Sequence, residues 1–322
     1  MSGVRSAKVS VPLAPDQRAD AAAAMVLREL LGTIRANFDG ALVGEDPEYL
    51  HQLRISVRRS RTVQRQLSGI FPELELPGFR AEFRWLQRVT GEARDLDVYV
   101  QEFEAMRAMV PEPMRSDLDP LWQVLGHWRM TARGEAARAL CSQRNVELLA
   151  DWELLLDGLV GRPVDDRPAA GRPIGEVAGR RIRRVYKRVL RLGSAIDPDS
   201  DPQAYHELRK KGKELRYMLE LFGVQLFAAE VVDPLVRSLK SLQDVLGRHQ
   251  DREVQIGLLR SLAEEVAQLP RGPAALMAMG VLVDRLQHDE AVARGEFAER
   301  FTALASPEQR ELVKATFVWP RG

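Results

Sequence analysis

Five basic side chains, a histidine and four arginines, sit in one row near the start of this sequence. His51, Arg54, Arg58, Arg61 and Arg65 are spaced 3, 4, 3 and 4 residues apart. On a helix that spacing puts all five on one face, neighbours roughly 5–6 Å apart at Cβ. No acidic residue occurs from Tyr49 to Pro72. Guanidinium groups are rigid forks of donors suited to phosphate and carboxylate. A row of them with no acid three or four residues away repels itself, and a bound polyanion relieves that repulsion.

A second row follows in the other half of the chain: His206, Arg209, Lys213 and Arg216, spaced 3, 4 and 3, with Lys210 and Lys211 nearby. A third lies just before it. Seven cations and no acid occur between Val177 and Ile196, and Arg180, Arg184, Lys187 and Arg191 are expected to share a face. A weaker row, Arg80, Arg84 and Arg88, is answered by Arg237 and Lys240. Both histidines stand within the first turns of their helices, where helix N-termini already favour anions. A nearby polyanion would hold them protonated.

The rows belong to an internal repeat. Asp46-Pro-Glu-Tyr-Leu-His-Gln-Leu-Arg54 matches Asp201-Pro-Gln-Ala-Tyr-His-Glu-Leu-Arg209 at an offset of 155, which carries Arg58 onto Lys213 and Arg61 onto Arg216. Leu86-Gln-Arg-Val-Thr-Gly-Glu-Ala-Arg-Asp95 then runs beside Leu242-Gln-Asp-Val-Leu-Gly-Arg-His-Gln-Asp251 at an offset of 156. Each copy opens with Asp and then Pro, a helix-start pair: a capping carboxylate followed by a residue whose fixed φ suits the first turn.

The elements that must carry these rows read as helical almost throughout. Leu27, Leu30, Leu31 and Ile34 recur at helical spacing, as do Leu148, Leu149, Trp152, Leu155 and Leu156. Alternating strand-like runs are scarce. The expectation is an all-α fold of two helical bundles, about four helices each, related by a pseudo-twofold axis. Residues 1–15 read as a flexible tail, 16–160 as the first bundle, 161–175 as a Gly/Pro linker and 176–322 as the second bundle.

The 47 Lys and Arg are balanced by 46 Asp and Glu, a net charge of +1. That excludes a globally polycationic protein, so any anion site must come from local segregation of charge. Of the cations, 40 are Arg, so position and not number carries the argument. One cysteine, Cys141, precludes an intrachain disulfide and a cysteine metal site; it is read as a structural thiol. The N-terminus has no signal-peptide pattern and no run reaches the ~20 apolar residues of a membrane span, so a cytoplasmic protein is expected.

Catalytic patterns are missing. There is no phosphate-binding Gly loop, no His-Glu-x-x-His and no Gly-x-Ser-x-Gly. Glu48-Tyr-Leu-His51 has a di-iron spacing, but its repeat partner is Gln203, so the second pair is absent. Asp95, Asp97 and Asp251 could be Mg²⁺ ligands; the preferred role for the repeat-related Asp95 and Asp251 is orienting neighbouring arginines or fixing helix ends. His127, His249 and His288 are read as structural or surface residues. No catalytic residue, metal or cofactor is assigned.

With these residues in view, the chain resembles the CHAD family, an all-helical family named for its histidines. The resemblance rests on Tyr49-Leu-His-Gln-Leu-Arg54 through Arg61, Gly91-Glu-Ala-Arg-Asp95, His206-Glu-Leu-Arg209 through Tyr217, and Leu242-Gln-Asp-Val-Leu-Gly247. It implies two pseudo-symmetric four-helix bundles whose basic helices line a central cavity or groove. It further implies inorganic polyphosphate as partner and association with polyphosphate granules. The implied ligand positions are His51, Arg54, Arg58, Arg61, His206, Arg209, Lys213 and Arg216, with the 180–191 helix contributing. Arg65, Arg84, Arg88, Lys210 and Lys240 join them as neighbouring cations. Glu220 opposite Arg65 and Asp244 opposite Arg88 depart from the symmetry, so weaker binding by the second half is expected. Some members carry a triphosphate-hydrolysing barrel; Glu73-Leu-Glu-Leu-Pro77 lacks that barrel's Lys, and no β-rich segment remains.

The reading is therefore a non-catalytic polyphosphate binder. Ranked behind it are a nucleic-acid binder using the same helices, for which few aromatics lie near the rows, and a polyphosphate- or triphosphate-processing enzyme. A protein scaffold using the helices around Leu276–Leu286 is a further role that the sequence leaves open.

Overall fold

A computed structural model describes residues 3–197 and 199–319. In chain order the α-helices are α1 (Ala19–Ala36), α2 (Phe38–Val43), α3 (Pro47–Gln66), α4 (Leu76–Val89), α5 (Gly91–Ala108), α6 (Asp119–Leu140) and α7 (Gln143–Gly158). These are followed by α8 (Ile174–Gly193), α9 (Pro202–Met218), the one-turn α10 (Val224–Leu226), α11 (Ala229–Ala267), α12 (Gly272–Leu304) and α13 (Pro307–Thr316). Among the described residues there is no strand; a lone antiparallel bridge joins Arg18 to Pro173. The all-α reading holds.

The repeat is visible in local detail. Asp46 accepts a hydrogen bond from the Glu48 amide at 2.8 Å, and Asp201 accepts one from the Gln203 amide at 2.7 Å. Both helices thus start on the Asp-Pro pair, the carboxylate satisfying a free N–H. Leu53 and Val57 of α3, and Leu208 and Leu215 of α9, are fully buried on the face away from the cations. Burying each such side chain contributes about 1.5–3 kcal/mol. The copies differ after that. α4 and α5 are separate helices, whereas the corresponding α11 runs unbroken for 39 residues. A π-helical turn, Leu219–Gly223, lies in the interval where the offset changes from 155 to 156.

Two hydrophobic clusters form the interior, and neither is one half of the sequence. The larger joins α1, α3, α4 and α7 to α8, α9, the first part of α11 and the end of α12. The smaller joins α5 and α6 to the second part of α11 and the first part of α12. α11 is about 58 Å long at 1.5 Å per residue, long enough to serve both clusters. Trp152 of α7 is fully buried between the rings of Phe71, Phe79 and Phe83, at 5.8, 4.9 and 5.2 Å between centroids.

Three expectations change. The described part of the N-terminal segment is not a flexible tail. Ala7 and Val9 are buried, the Ala7 amide donates to Gln52 Oε1 at 2.7 Å, and the Arg5 amide donates to Asn37 Oδ1 at 3.1 Å. The 161–175 segment is irregular, as its prolines require, but it is built into the interior. Arg167 is wholly buried, donating to the Leu159 carbonyl at 2.9 Å and lying 3.4 Å from the buried Asp20 carboxylate. Cys141 is an exposed free thiol just past α6, not a packed one.

Candidate anion-binding groove

α3 and α9 cross at the centre of the molecule, and a pair of ion pairs marks the crossing. Arg59 of α3 donates to Glu220, and Arg65 of α3 donates to Glu214 of α9 at 2.8 Å. By the repeat offset Arg59 corresponds to Glu214 and Arg65 to Glu220. The two bridges therefore exchange under the pseudo-twofold operation, so the axis passes between them. Tyr217 lies buried on it, with the Arg59 and Arg216 guanidinium groups each 5.6 Å from its ring centroid. Glu220 had been expected to shorten the second row. In the structure it sits in the π-helical turn and neutralises Arg59 from the first half, besides Arg216 at 3.4 Å.

The two rows converge across this axis. Arg54 is almost completely buried, donating to the Gln87 carbonyl at 2.7 Å and the Thr90 hydroxyl at 2.8 Å. Burial pushes it down to about 10, with repulsion from Arg58 adding to the effect. Arg58 stands at the middle, within electrostatic range of Arg54 and Arg61 in its own half and of Arg209 and Lys213 in the other. Arg61 is held below its ordinary value by burial and by Arg65, Arg84 and Arg58. Lys213 shows the largest consequence: burial, then Arg209 and Arg58, push its amine down to about 7. Cations gathered this closely cost free energy in the unliganded protein, and a bound polyanion recovers it.

Two repeat-related acids accompany them. Arg209 donates to Asp251 at 3.2 Å, and Asp95 lies in the field of Arg54, Arg58 and Arg94. Both side chains reach solvent, yet the groove walls crowd them, and this partial desolvation raises both carboxyls despite the nearby cations. Asp95 and Asp251 also feel one another and, with burial, push the Tyr99 phenol above its ordinary value. Asp251 thus holds an arginine of the second row, and Asp95 stands among those of the first without an ion pair of its own. Asp97 belongs to the interior: it is buried and accepts from Arg129 and Arg133 on α6. Among the described residues no three His, Cys, Asp or Glu are grouped as metal ligands.

The remaining candidates divide. His51 lies half-buried beside Arg94, and burial with that charge lowers its pKa. Arg84 faces Arg61. Arg184, Lys187 and Arg191 of α8 line a separate pocket with Arg65 and Lys211. Five candidates are turned elsewhere or stand apart. His206 Nδ1 meets the side-chain oxygen of Gln250 on α11. Lys210 pairs with Glu207 at 2.8 Å, and Arg180 pairs with Glu176 at 2.7 Å, one turn away on the same helix. Arg88 and Lys240 are exposed, and no contact ties them to the groove.

Spacing alone missed Arg94, Arg181 and Arg188. Arg94 follows α3 in space through α5, and its Nη1 is buried with no acceptor in the described protein. It stood in the Gly91-x-x-Arg-Asp95 block, whose second copy has Gln250 in its place. On α8 the pocket is lined by Arg181, Arg184, Arg188 and Arg191, a 3, 4, 3 row that begins one residue after the row expected. Arg180 had a partner in Glu176, just outside the acid-free window.

An all-α fold with a cation groove at an internal twofold axis defines the class, and comparison with known proteins supplies the family. The CHAD domain profile matches residues 25–260. The chain belongs to the CHAD domain family. The crystal structure of the CHAD domain from the plant Ricinus communis superposes with a TM-score of 0.77 at 25% identity, covering 92% of this chain and 96% of that one. PptA from Streptomyces chartreusis shares the fold at a TM-score of 0.64 and 20% identity, over 89% of this chain and 100% of that one. An uncharacterized protein of Mycobacterium tuberculosis (strain CDC 1551 / Oshkosh) is 27% identical over 220 residues, which is 67% of this chain. Its counterpart in strain H37Rv matches to the same extent. The matched region is 41% of those relatives' length. No helix of the described residues is long and apolar enough to cross a membrane.

Proposed function

We propose that the groove binds inorganic polyphosphate without transforming it, and that this binding places the protein at polyphosphate granules in the cytoplasm. One observation carries the reading: cations without an ion pair crowd together in the groove. Many arginines elsewhere meet acids, as in Arg28–Asp157, Arg144–Glu82, Arg248–Glu296 and Arg271–Asp117. Arg58, Arg61, Arg84, Arg94 and Lys213 form no ion pair among the described residues, only longer-range interactions with Asp95 and Asp251, yet they crowd one groove from both halves. A linear polyanion with no base edges is held by such forks alone.

Single-stranded nucleic acid shares the phosphate chemistry but draws much of its affinity from bases stacked on exposed aromatics. The tyrosines at this groove, Tyr99 and Tyr217, are buried. That favours polyphosphate, and competition at equal phosphate concentration separates the two: displacement of polyphosphate by RNA or DNA reverses the ranking.

The direct test reverses charge at the centre. Arg58→Glu with Lys213→Glu is expected to abolish polyphosphate binding while leaving helicity intact, because neither side chain holds a structural partner. Arg54 is a poorer target, since its buried guanidinium supports the end of α4. Unchanged affinity in the double variant overturns the site. Mg²⁺-dependent phosphate release by the purified protein, lost on Asp95→Ala, overturns the non-catalytic reading.

A further inference from the structure

Two pools of free cations flank the α3–α9 crossing, and Glu214, which also lines the α8 pocket, and Glu220 stand at that crossing. Glu214 has a side chain only 3% exposed. It takes Arg65 at 2.8 Å and Lys211 at 2.9 Å, and Gln66 donates to it as well. Glu220 takes Arg59 and Arg216. The cations at the α3–α9 crossing are thus answered from within the protein. On one side lies the central pool of Arg54, Arg58, Arg61, Arg84, Arg94 and Lys213. On the other lies a pocket walled by α8, where Arg181, Arg184, Lys187, Arg188 and Arg191 have no acid partner among the described residues. The electrostatics separate in the same way. Arg181 is depressed by burial and by Arg184 and Arg180, all on its own helix, whereas Arg61 answers to burial, Arg65, Arg84 and Arg58.

We propose that the α8 pocket is a second, discrete oligophosphate site, divided from the central groove by Glu214 and Glu220, and that one long chain occupies both by passing over Arg65. This rests on the polyphosphate reading above and adds a consequence to it: preference for chain length arises from bridging two sites rather than from one continuous track. Once one site is filled, the same chain presents its next phosphates to the other at high effective concentration, which raises affinity by about 10²-fold or more when the span is reached.

The test uses the whole chain, with tripolyphosphate and long-chain polyphosphate as probes in isothermal titration. The wild type is expected to take two tripolyphosphates per protein, and to bind the long chain about 10²-fold more tightly per chain. Arg184 and Arg188 are exposed and hold no partner in the protein, so Arg184→Gln with Arg188→Gln keeps the helix, as circular dichroism verifies. That variant should take one tripolyphosphate, with the long-chain advantage reduced at least about tenfold. Arg58→Gln with Lys213→Gln should likewise take one. A single tripolyphosphate per wild-type protein, or an unchanged long-chain advantage in the α8 variant, overturns the two-site proposal while leaving polyphosphate binding in place. Failure of the wild type to bind either probe overturns the underlying function instead.

Discussion

Lys213 makes the groove's charge conditional on pH. Burial among Arg209, Arg58 and Arg216 brings its amine down to about 7, from an ordinary value of 10.5. A polyphosphate chain laid beside it favours the charged form. If the bound chain restores the ordinary value, affinity falls about tenfold per pH unit above about 7, and about 25-fold between roughly pH 6.5 and roughly pH 8.5. Folding responds with the opposite sign. Between about 7 and 10.5 the unfolded chain holds the proton that the folded chain has lost, so this residue makes the unliganded protein more stable as pH rises through that window. The assay is titration with long-chain polyphosphate at constant ionic strength across that range, beside thermal melts without ligand. Lys213→Arg keeps its charge throughout, and its affinity should stay flat above pH 7. Lys213→Met should bind weakly and equally flatly. Terminal phosphates and His51 titrate in both proteins and cancel in the comparison. An identical decline in Lys213→Arg, or a flat wild type, refutes the assignment of the proton to Lys213.

Salt provides a second measurement. Each neutralised phosphate of a single strand contributes about 0.7 to the slope of log affinity on log salt, so about ten cations over the two pools give about −7 for a long chain, and the three phosphates of tripolyphosphate give about −2. A slope near zero for the long chain argues against ionic binding. Arg167→Met should cost about 3 kcal/mol or more, because it leaves the buried Asp20 with less compensation and unpins the 161–175 segment; a melting temperature unchanged from wild type counts against an integral segment. Glu214→Gln leaves Arg65 and Lys211 without a counter-charge, and should lower stability while tightening polyphosphate binding. Looser binding in that variant would mean that Glu214 positions cations more than it neutralises them.

Periodicity and internal repetition determined a good deal about this protein. The helical pattern, the two Asp-Pro helix starts and the acid-free rows are local properties, set by residues within one or two turns of each other. His51 through Arg65 share a face because 3, 4, 3, 4 is the period of a helix, and this holds whatever surrounds it. The sequence also carried the symmetry, since a gapless offset of 155 can be read without coordinates. Partnership could not be read in that way. Arg59 and Arg65 look as free as Arg58 and Arg61 along the chain, and only the crossing of α3 with α9 brings Glu220 and Glu214 from 161 and 149 residues away to neutralise them. His206 meets Gln250 where its repeat mate His51 meets Arg94, residues that occupy the same place in the second repeated block, a pairing between helices that no single helix shows. Arg94 enters the groove from a helix with no row of its own. Charge spacing sets which side chains share a face; tertiary packing sets which charges remain uncompensated there, because Coulomb energy depends on distance in space and on how much water is excluded between the groups.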